Sequence, residues 1–242
     1  MELAFTHPGG SDEENVMEIG APAAAAYERD GSPPSDGWGP LSAFLDADAN
    51  SGRVLLLTGE PGIGKTTLWE HGVRAARERG FRVLAARASP SETRLAFAAL
   101  GDLLGGIMDE FVGALPPPQR RAFEVALALA EAGDSPPDPR TIAVAVLSSL
   151  RAASQARPLL VAVDDVQWLD EASESALAFA LRRLVEDRVT FLLAQRKETA
   201  ERQPLGLDGY RDEGVERVEI TWRLPLACRT AVPFFTLPTP DR

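Results

Sequence analysis

The sequence predicts an α/β three-layer sandwich: a mainly parallel five-stranded sheet with a helical insert between its second and third strands. Three observations lead there. Short apolar runs alternate with stretches of helical period, the pattern of parallel strands joined by crossover helices. Residues 159–163, Leu-Leu-Val-Ala-Val, are apolar without a break, as a central strand covered on both faces must be. The 242-residue chain is 45% hydrophobic, enough for a large core.

Residues 1–38 are rich in Gly, Pro, Ser and acids without sustained periodicity and are expected to be a disordered extension. Leu41, Phe44 and Leu45 then mark a short helix before a first strand over 53–58. Residues 67–79 read as a helix with Leu68, Val73 and Ala76 inward and Arg74, Arg77 and Arg79 outward, ended by Gly80. A second strand covers 81–87. Helical patterns follow over 94–111, over 119–131 and from Pro139, the last with Asp138 as N-cap, and prolines at 116–118 and 136–137 separate them. The third strand ends in Asp164-Asp165. A helix over 171–185 with Asp170 as its cap, a strand over 189–194 and a weaker one over 215–220 complete the unit. The expected division is an extension over 1–38, a core domain over 39–220 and an irregular tail over 221–242.

The net charge of -11, with arginines interspersed among acids, argues against a nucleic-acid-binding surface. One cysteine, Cys228, excludes an internal disulfide and a cysteine metal cluster, which suits a reducing compartment. The N-terminus lacks the pattern of a secretory signal, and apolar runs such as 142–147 are too short to span a bilayer. A cytoplasmic location without a membrane role is expected.

Chemistry concentrates at residues 59–67: Gly59, Glu60, Pro61, Gly62, Ile63, Gly64, Lys65, Thr66 and Thr67. An apolar strand running into G-x-x-x-x-G-K-T is the loop that wraps the phosphates of a nucleoside triphosphate. Its glycines let successive amides point inward at phosphate oxygens. Lys65 brings an ammonium to the terminal phosphates, Thr66 offers a hydroxyl to Mg²⁺, and the helix starting near Lys65 adds its positive end. The metal needs an acidic anchor from a neighbouring strand end, and Asp164 is the candidate. Asp165 is the candidate base that polarises an attacking water. Without the phosphate loop, the same acid pair would read as a polar strand end or a helix cap.

Arg196 lies just past the fourth strand and either senses the γ-phosphate or is an ordinary surface arginine. Trp168 is expected to pack rather than react. His71 has no histidine or cysteine at metal-ligand spacing and reads as a plain helical residue. Arg182-Arg183 reads as a solvated helix face, with an arginine finger as the alternative.

The run 56–69, the intervening segment from Pro118 (Pro-Gln-Arg-Arg-Ala-Phe-Glu-Val-Ala-Leu) and residues 164–170, Asp-Asp-Val-Gln-Trp-Leu-Asp, resemble the ATPase domain of the large ATP-binding LuxR-type transcriptional regulators over residues 41–200. Those are signal-transduction P-loop NTPases of the AAA-like group. The resemblance implies an ATP-driven switch in which nucleotide state controls oligomerisation and transcription. It also implies that Gly59 to Thr67 hold phosphates, that Asp164 and Asp165 serve metal and water, and that Arg196 is the sensor. Such proteins carry a Gly-Arg-Glu-type segment upstream of the first strand, where this chain has Tyr27-Glu-Arg-Asp-Gly31-Ser-Pro-Pro. From Thr221 the chain lacks the family's winged-helix and helix-turn-helix regions, which suits a truncated or frame-altered gene product or a standalone domain.

The expected activity is Mg²⁺-dependent ATP binding with slow hydrolysis to ADP and phosphate. Two alternatives stand beside it: a non-catalytic nucleotide-binding fragment that self-associates or joins a full-length relative, and a small-molecule P-loop kinase. Direct DNA binding by this chain is not expected.

Overall fold

The computed structural model describes residues 35–47, 52–131, 136–199, 203–209 and 214–221. The expectations for residues 1–34, Tyr27 to Pro34 included, and for residues 222–242 with Cys228 lie outside them.

Five strands form one sheet: β1 (Arg53–Gly59), β2 (Arg82–Arg87), β3 (Leu159–Asp164), β4 (Val189–Arg196) and β5 (Val215–Ile220). Their order is β2-β3-β4-β1-β5, and every pairing is parallel. A parallel sheet brings all strand C-termini to one edge, where α/β folds bind their ligands. Within the apolar runs, side chains alternate between faces. Val54, Leu56, Leu159, Val161, Phe191 and Leu193 enter one core, and Leu55, Leu57, Leu160, Ala162, Leu192 and Ala194 enter the other. The fold is therefore the three-layer α/β sandwich of P-loop NTPases, with parallel strands throughout.

Helices α1 (Ser35–Asp46) and α2 (Lys65–Glu78) supply the second core. α1 starts before the expected Leu41 and takes in residues 35–38, assigned above to the extension. Trp38 explains the earlier start, since it packs on this core and meets the His71 ring edge-on at 6.4 Å. α2 buries Leu68, Val73 and Ala76 and leaves Arg74, Arg77 and Arg79 exposed, and Gly80, at φ 83°, follows its last turn.

The opposite face is covered by α3 (Ala98–Leu104), α4 (Met108–Phe111), α5 (Pro117–Ala126), α6 (Pro139–Ser154) and α7 (Glu171–Leu181). The single helix expected over 94–111 is broken into α3, a 3-10 turn at Gly105–Ile107 and α4. Two glycines at 105 and 106 weaken the helical path there. α5 stops at Ala126 rather than 131, because Ala128 turns to φ 56° and the amides of Leu129 and Ala130 both return to the Glu124 carbonyl.

Asp138 caps α6 as expected, accepting from the Thr141 amide at 2.9 Å. Asp170 caps α7 through the Ser173 amide at 2.8 Å. α7 ends at Leu181, four residues early, where the amides of Arg183 and Leu184 turn to the carbonyls three residues back, and Val185 accepts the Gly52 amide at the entrance to β1. Among the described residues no helix is long and apolar enough to cross a membrane.

Candidate functional site

The phosphate loop joins β1 to α2 at the sheet's C-terminal edge. Gly62 and Gly64 take φ of 77° and 100°, values side chains disfavour. Gly59 is required for a different reason: a Cβ there would stand 2.8 Å from the Ile220 carbonyl and 2.9 Å from Ile63. Glu60, Pro61 and Gly62 are exposed, Ile63 is buried under the loop, and Thr67 is half-buried in the first turn of α2. The Leu68 amide bonds the Gly64 carbonyl at 3.0 Å. The amides of residues 65–67 are thus the open donors of a helix N-terminus, facing the loop.

Lys65 is only 7% exposed and donates to the carbonyls of Gly59, at 3.0 Å, and Glu60, at 2.7 Å. Burial pushes its ammonium below the usual lysine value; Asp165 opposes that shift and Arg196 adds to it. A buried cation held by neutral carbonyls is poised for a stronger anion.

Sheet register assembles the remainder. Asp164 ends β3 at 1% exposure. Its Oδ2 accepts the Thr66 hydroxyl at 2.9 Å, and its Oδ1 accepts the Asp165 amide at 3.0 Å. Burial pushes the Asp164 carboxyl above its usual range, against the lowering effect of the Thr66 hydrogen bond. Gly59 is in register with Arg196 across β1 and β4, which sets Arg196 on the same rim.

Asp165 turns into the left-handed region, φ 50° and ψ 45°, and starts the 3-10 turn at Val166–Trp168. Its Oδ1 accepts from Gln167 Nε2 at 2.7 Å and lies 3.6 Å from Arg196 Nε. Gln167 also accepts the Arg196 amide at 3.3 Å, so one side chain bridges both strand ends. Trp168 packs on the core with the Arg196 guanidinium 5.9 Å from its ring.

The structure therefore gathers Lys65, Thr66, Asp164, Asp165 and Arg196 in one place. It leaves out His71, which bonds Arg74 on α2, and the pair Arg182 and Arg183, which are exposed, Arg183 stacking 3.6 Å over Phe179. A separate cleft of about 750 Å³ lies away from the loop between residues 93–97, α6 and α7, with Phe97, Arg140 and Arg182 in its walls.

Two site neighbours went unnoticed in the sequence. Gln167 sat within the Asp-Asp-Val-Gln-Trp segment without a role. Arg87 ends β2 in register with Asp164, its Nε 3.3 Å from Asp164 Oδ2. A charge at the end of an apolar strand was the available signal, since Asp164 carries the same mark.

A magnesium nucleotide fits these residues. The amides of residues 65–67 have no partner within α2, Lys65 is buried against carbonyls, and Thr66 and Asp164 present two oxygens side by side. Among the described residues no group of three or more His, Cys, Asp or Glu gathers in metal-binding geometry. Mg²⁺ takes one or two protein oxygens and completes its shell with water and phosphate, so a hydroxyl and a carboxylate can hold it.

Residues 39–193 match the family described as AAA ATPase domain. No curated protein matches the sequence. Among solved structures, the chain is similar to the ORC2 protein of Aeropyrum pernix in ADPNP and ADP complexes, at 17% identity and a TM-score of 0.45, covering 78% of this chain and 48% of that one. It is also similar to AMPPCP-bound DnaA from Aquifex aeolicus, at 20% identity and a TM-score of 0.39, covering 76% and 45%. The chain spans less than half the length of either. A DnaC helicase loader matches at 15% identity and a TM-score of 0.43, over 78% of this chain and 93% of that one. The phosphate loop, the strand-end acids and a family match over well more than half of the sequence lead to one conclusion: the chain belongs to the AAA ATPase domain family and is an ATP-binding P-loop domain.

Proposed function

We propose that the chain is a Mg²⁺-dependent, slowly hydrolysing ATP switch domain related to LuxR-type transcriptional regulators, its ATPase unit spanning residues 39–220. The observation that carries this is the hydrogen bond from Thr66 to Asp164, which pairs a hydroxyl and a carboxylate beside the buried Lys65. In this proposal the amides of Gly59 to Thr67 and the Lys65 ammonium hold the phosphates, and Thr66 and Asp164 hold the metal, Asp164 through water. The metal, when bound, neutralises charge between the β- and γ-phosphates. Asp165 orients and deprotonates the attacking water, and Arg196 answers charge developing on the γ-phosphate.

Slow turnover is supported by the engagement of Asp165. Its Oδ1 is held by Gln167 and faces Arg196, which restrains the carboxylate and leaves only Oδ2 to meet a water. Kinship with the LuxR-type regulators is supported by the Asp-Asp-Val-Gln-Trp-Leu-Asp segment, whose first two and last acids all have structural partners. The net charge of -11 favours a partner other than nucleic acid for this chain.

Calorimetric titration with ATP and GTP, with and without Mg²⁺, followed by a phosphate-release assay, tests the proposal. Mg²⁺-dependent ATP binding and slow phosphate release are expected. Lys65→Ala should weaken ATP at least about tenfold, because the phosphates lose a buried counter-ion. A folded chain that ignores millimolar MgATP would overturn it.

A further inference from the structure

Arg87 reaches the metal side of the phosphate loop from the end of β2. Its Nε lies 3.3 Å from Asp164 Oδ2, the same oxygen that accepts the Thr66 hydroxyl. Its Nη2 donates to Glu70 Oε1 at 2.8 Å, and its guanidinium lies 5.9 Å from the Trp69 ring, both on α2. The Arg87 side chain is 53% exposed while Asp164 is 1% exposed, so the guanidinium touches the buried acid from the solvent side.

A guanidinium 3.3 Å from Asp164 Oδ2 and a divalent cation held beside that carboxylate through water repel each other across a few ångströms. Binding a metal at Thr66 and Asp164 therefore displaces Arg87. The half-exposed ion pair it gives up contributes little to folding. Its planar fork of donors matches phosphate oxygens better than an ammonium does. In phosphate-loop sites the lysine and the metal both meet the γ-phosphate, so a triphosphate held by Lys65 and Thr66 would bring that group toward the metal side.

We propose that Arg87 is a γ-phosphate ligand that exchanges Asp164 for a γ-phosphate oxygen when MgATP binds, and that it thereby makes the site prefer ATP over ADP. This rests on the magnesium-nucleotide function proposed above. Arg196 answers the γ-phosphate from β4, and Arg87 answers it from β2, on the far side of β3.

The test is calorimetric titration of the full chain with MgATP and with MgADP, for the wild type, Arg87→Ala, Arg87→Lys and Glu70→Gln, with melting curves as a check of folding. Arg87→Ala should weaken MgATP about tenfold or more and MgADP by less than about threefold, with partial recovery in Arg87→Lys. Glu70→Gln removes the charge from the tie to α2 but keeps the guanidinium, and should leave the ATP-to-ADP affinity ratio near the wild-type value. Parallel weakening of both nucleotides, or no change, in Arg87→Ala would overturn the inference. So would a Glu70→Gln variant that loses the ratio as fully as Arg87→Ala, since the pair would then be structural. If the wild type binds neither nucleotide, the function proposed above fails as well; if it binds both and only the ratio is insensitive to Arg87, that function stands and this inference alone falls.

Discussion

Thr66 donates its hydroxyl to Asp164 Oδ2 at 2.9 Å across 98 residues of sequence. One residue opens α2 and the other closes β3, and only the parallel sheet brings them together. Thr66→Val keeps the shape and deletes the hydroxyl. The enhancement of ATP affinity by Mg²⁺ should fall about tenfold, whereas Thr66→Ser should retain it. Calorimetry with and without Mg²⁺ measures this, and an unchanged enhancement in the valine variant would remove Thr66 from the metal site.

Asp164 should cost the apo protein stability. Its carboxyl is pushed above the usual aspartate value of 3.8, chiefly by burial, so the folded state prefers the protonated form. A raised native value means that stability is greatest at low pH and is lost as pH rises through the native value, leaving a charged buried group at neutrality. Asp164→Asn should therefore melt about 2–4 °C higher than the wild type at pH 7 without nucleotide, a difference that shrinks as pH falls toward 4. The same variant should lose Mg²⁺-dependent binding. A lower melting temperature at pH 7 would contradict the burial effect.

Asp165 and Gln167 separate chemistry from restraint. Asp165→Asn removes a base without changing size and should slow phosphate release about 100-fold or more while ATP affinity stays within about threefold. Gln167→Leu removes the 2.7 Å bond that holds the Asp165 carboxylate and should speed turnover by roughly two- to tenfold. Single-turnover phosphate release decides both. Slower release in Gln167→Leu would mean that the amide aims Asp165 rather than restrains it.

Asp170 carries two helix starts. Besides capping α7, it accepts the amides of Phe97 at 2.8 Å and Ala99 at 3.3 Å, the entrance to α3. Phe97 precedes α3 at φ 66° and has no side-chain acceptor to offer, so the carboxylate supplies it from 73 residues away. Asp170→Ala leaves three inward amides without partners and should destabilise the domain by about 2–4 kcal/mol. Asp138→Ala, at an exposed cap, should lose only about 1 kcal/mol. Urea denaturation compares the two, and equal losses would refute the double role.

The shape of the loop at residues 59–67 was legible in the sequence because it lies in the backbone: glycine spacing fixes a local geometry whatever surrounds it. Strand and helix order was legible for a similar reason, as continuous apolar runs and caps such as Asp138 and Asp170 act within a few residues. Helix lengths were less so. Gly105-Gly106, Ala128 and the tightened turn at Arg183 and Leu184 end helices through local geometry that periodicity does not register.

Gln167 and Arg87 could not be read as site residues from the chain alone. An amide and an arginine gain meaning only from what faces them, and Arg87 meets Asp164 because β2 and β3 pair in one register rather than the next. Sequence determined which backbone forms the glycine loop and which acids end strands. Tertiary structure decided which of those charges share an oxygen, because electrostatic contacts depend on distances of a few ångströms that only the packed sheet sets.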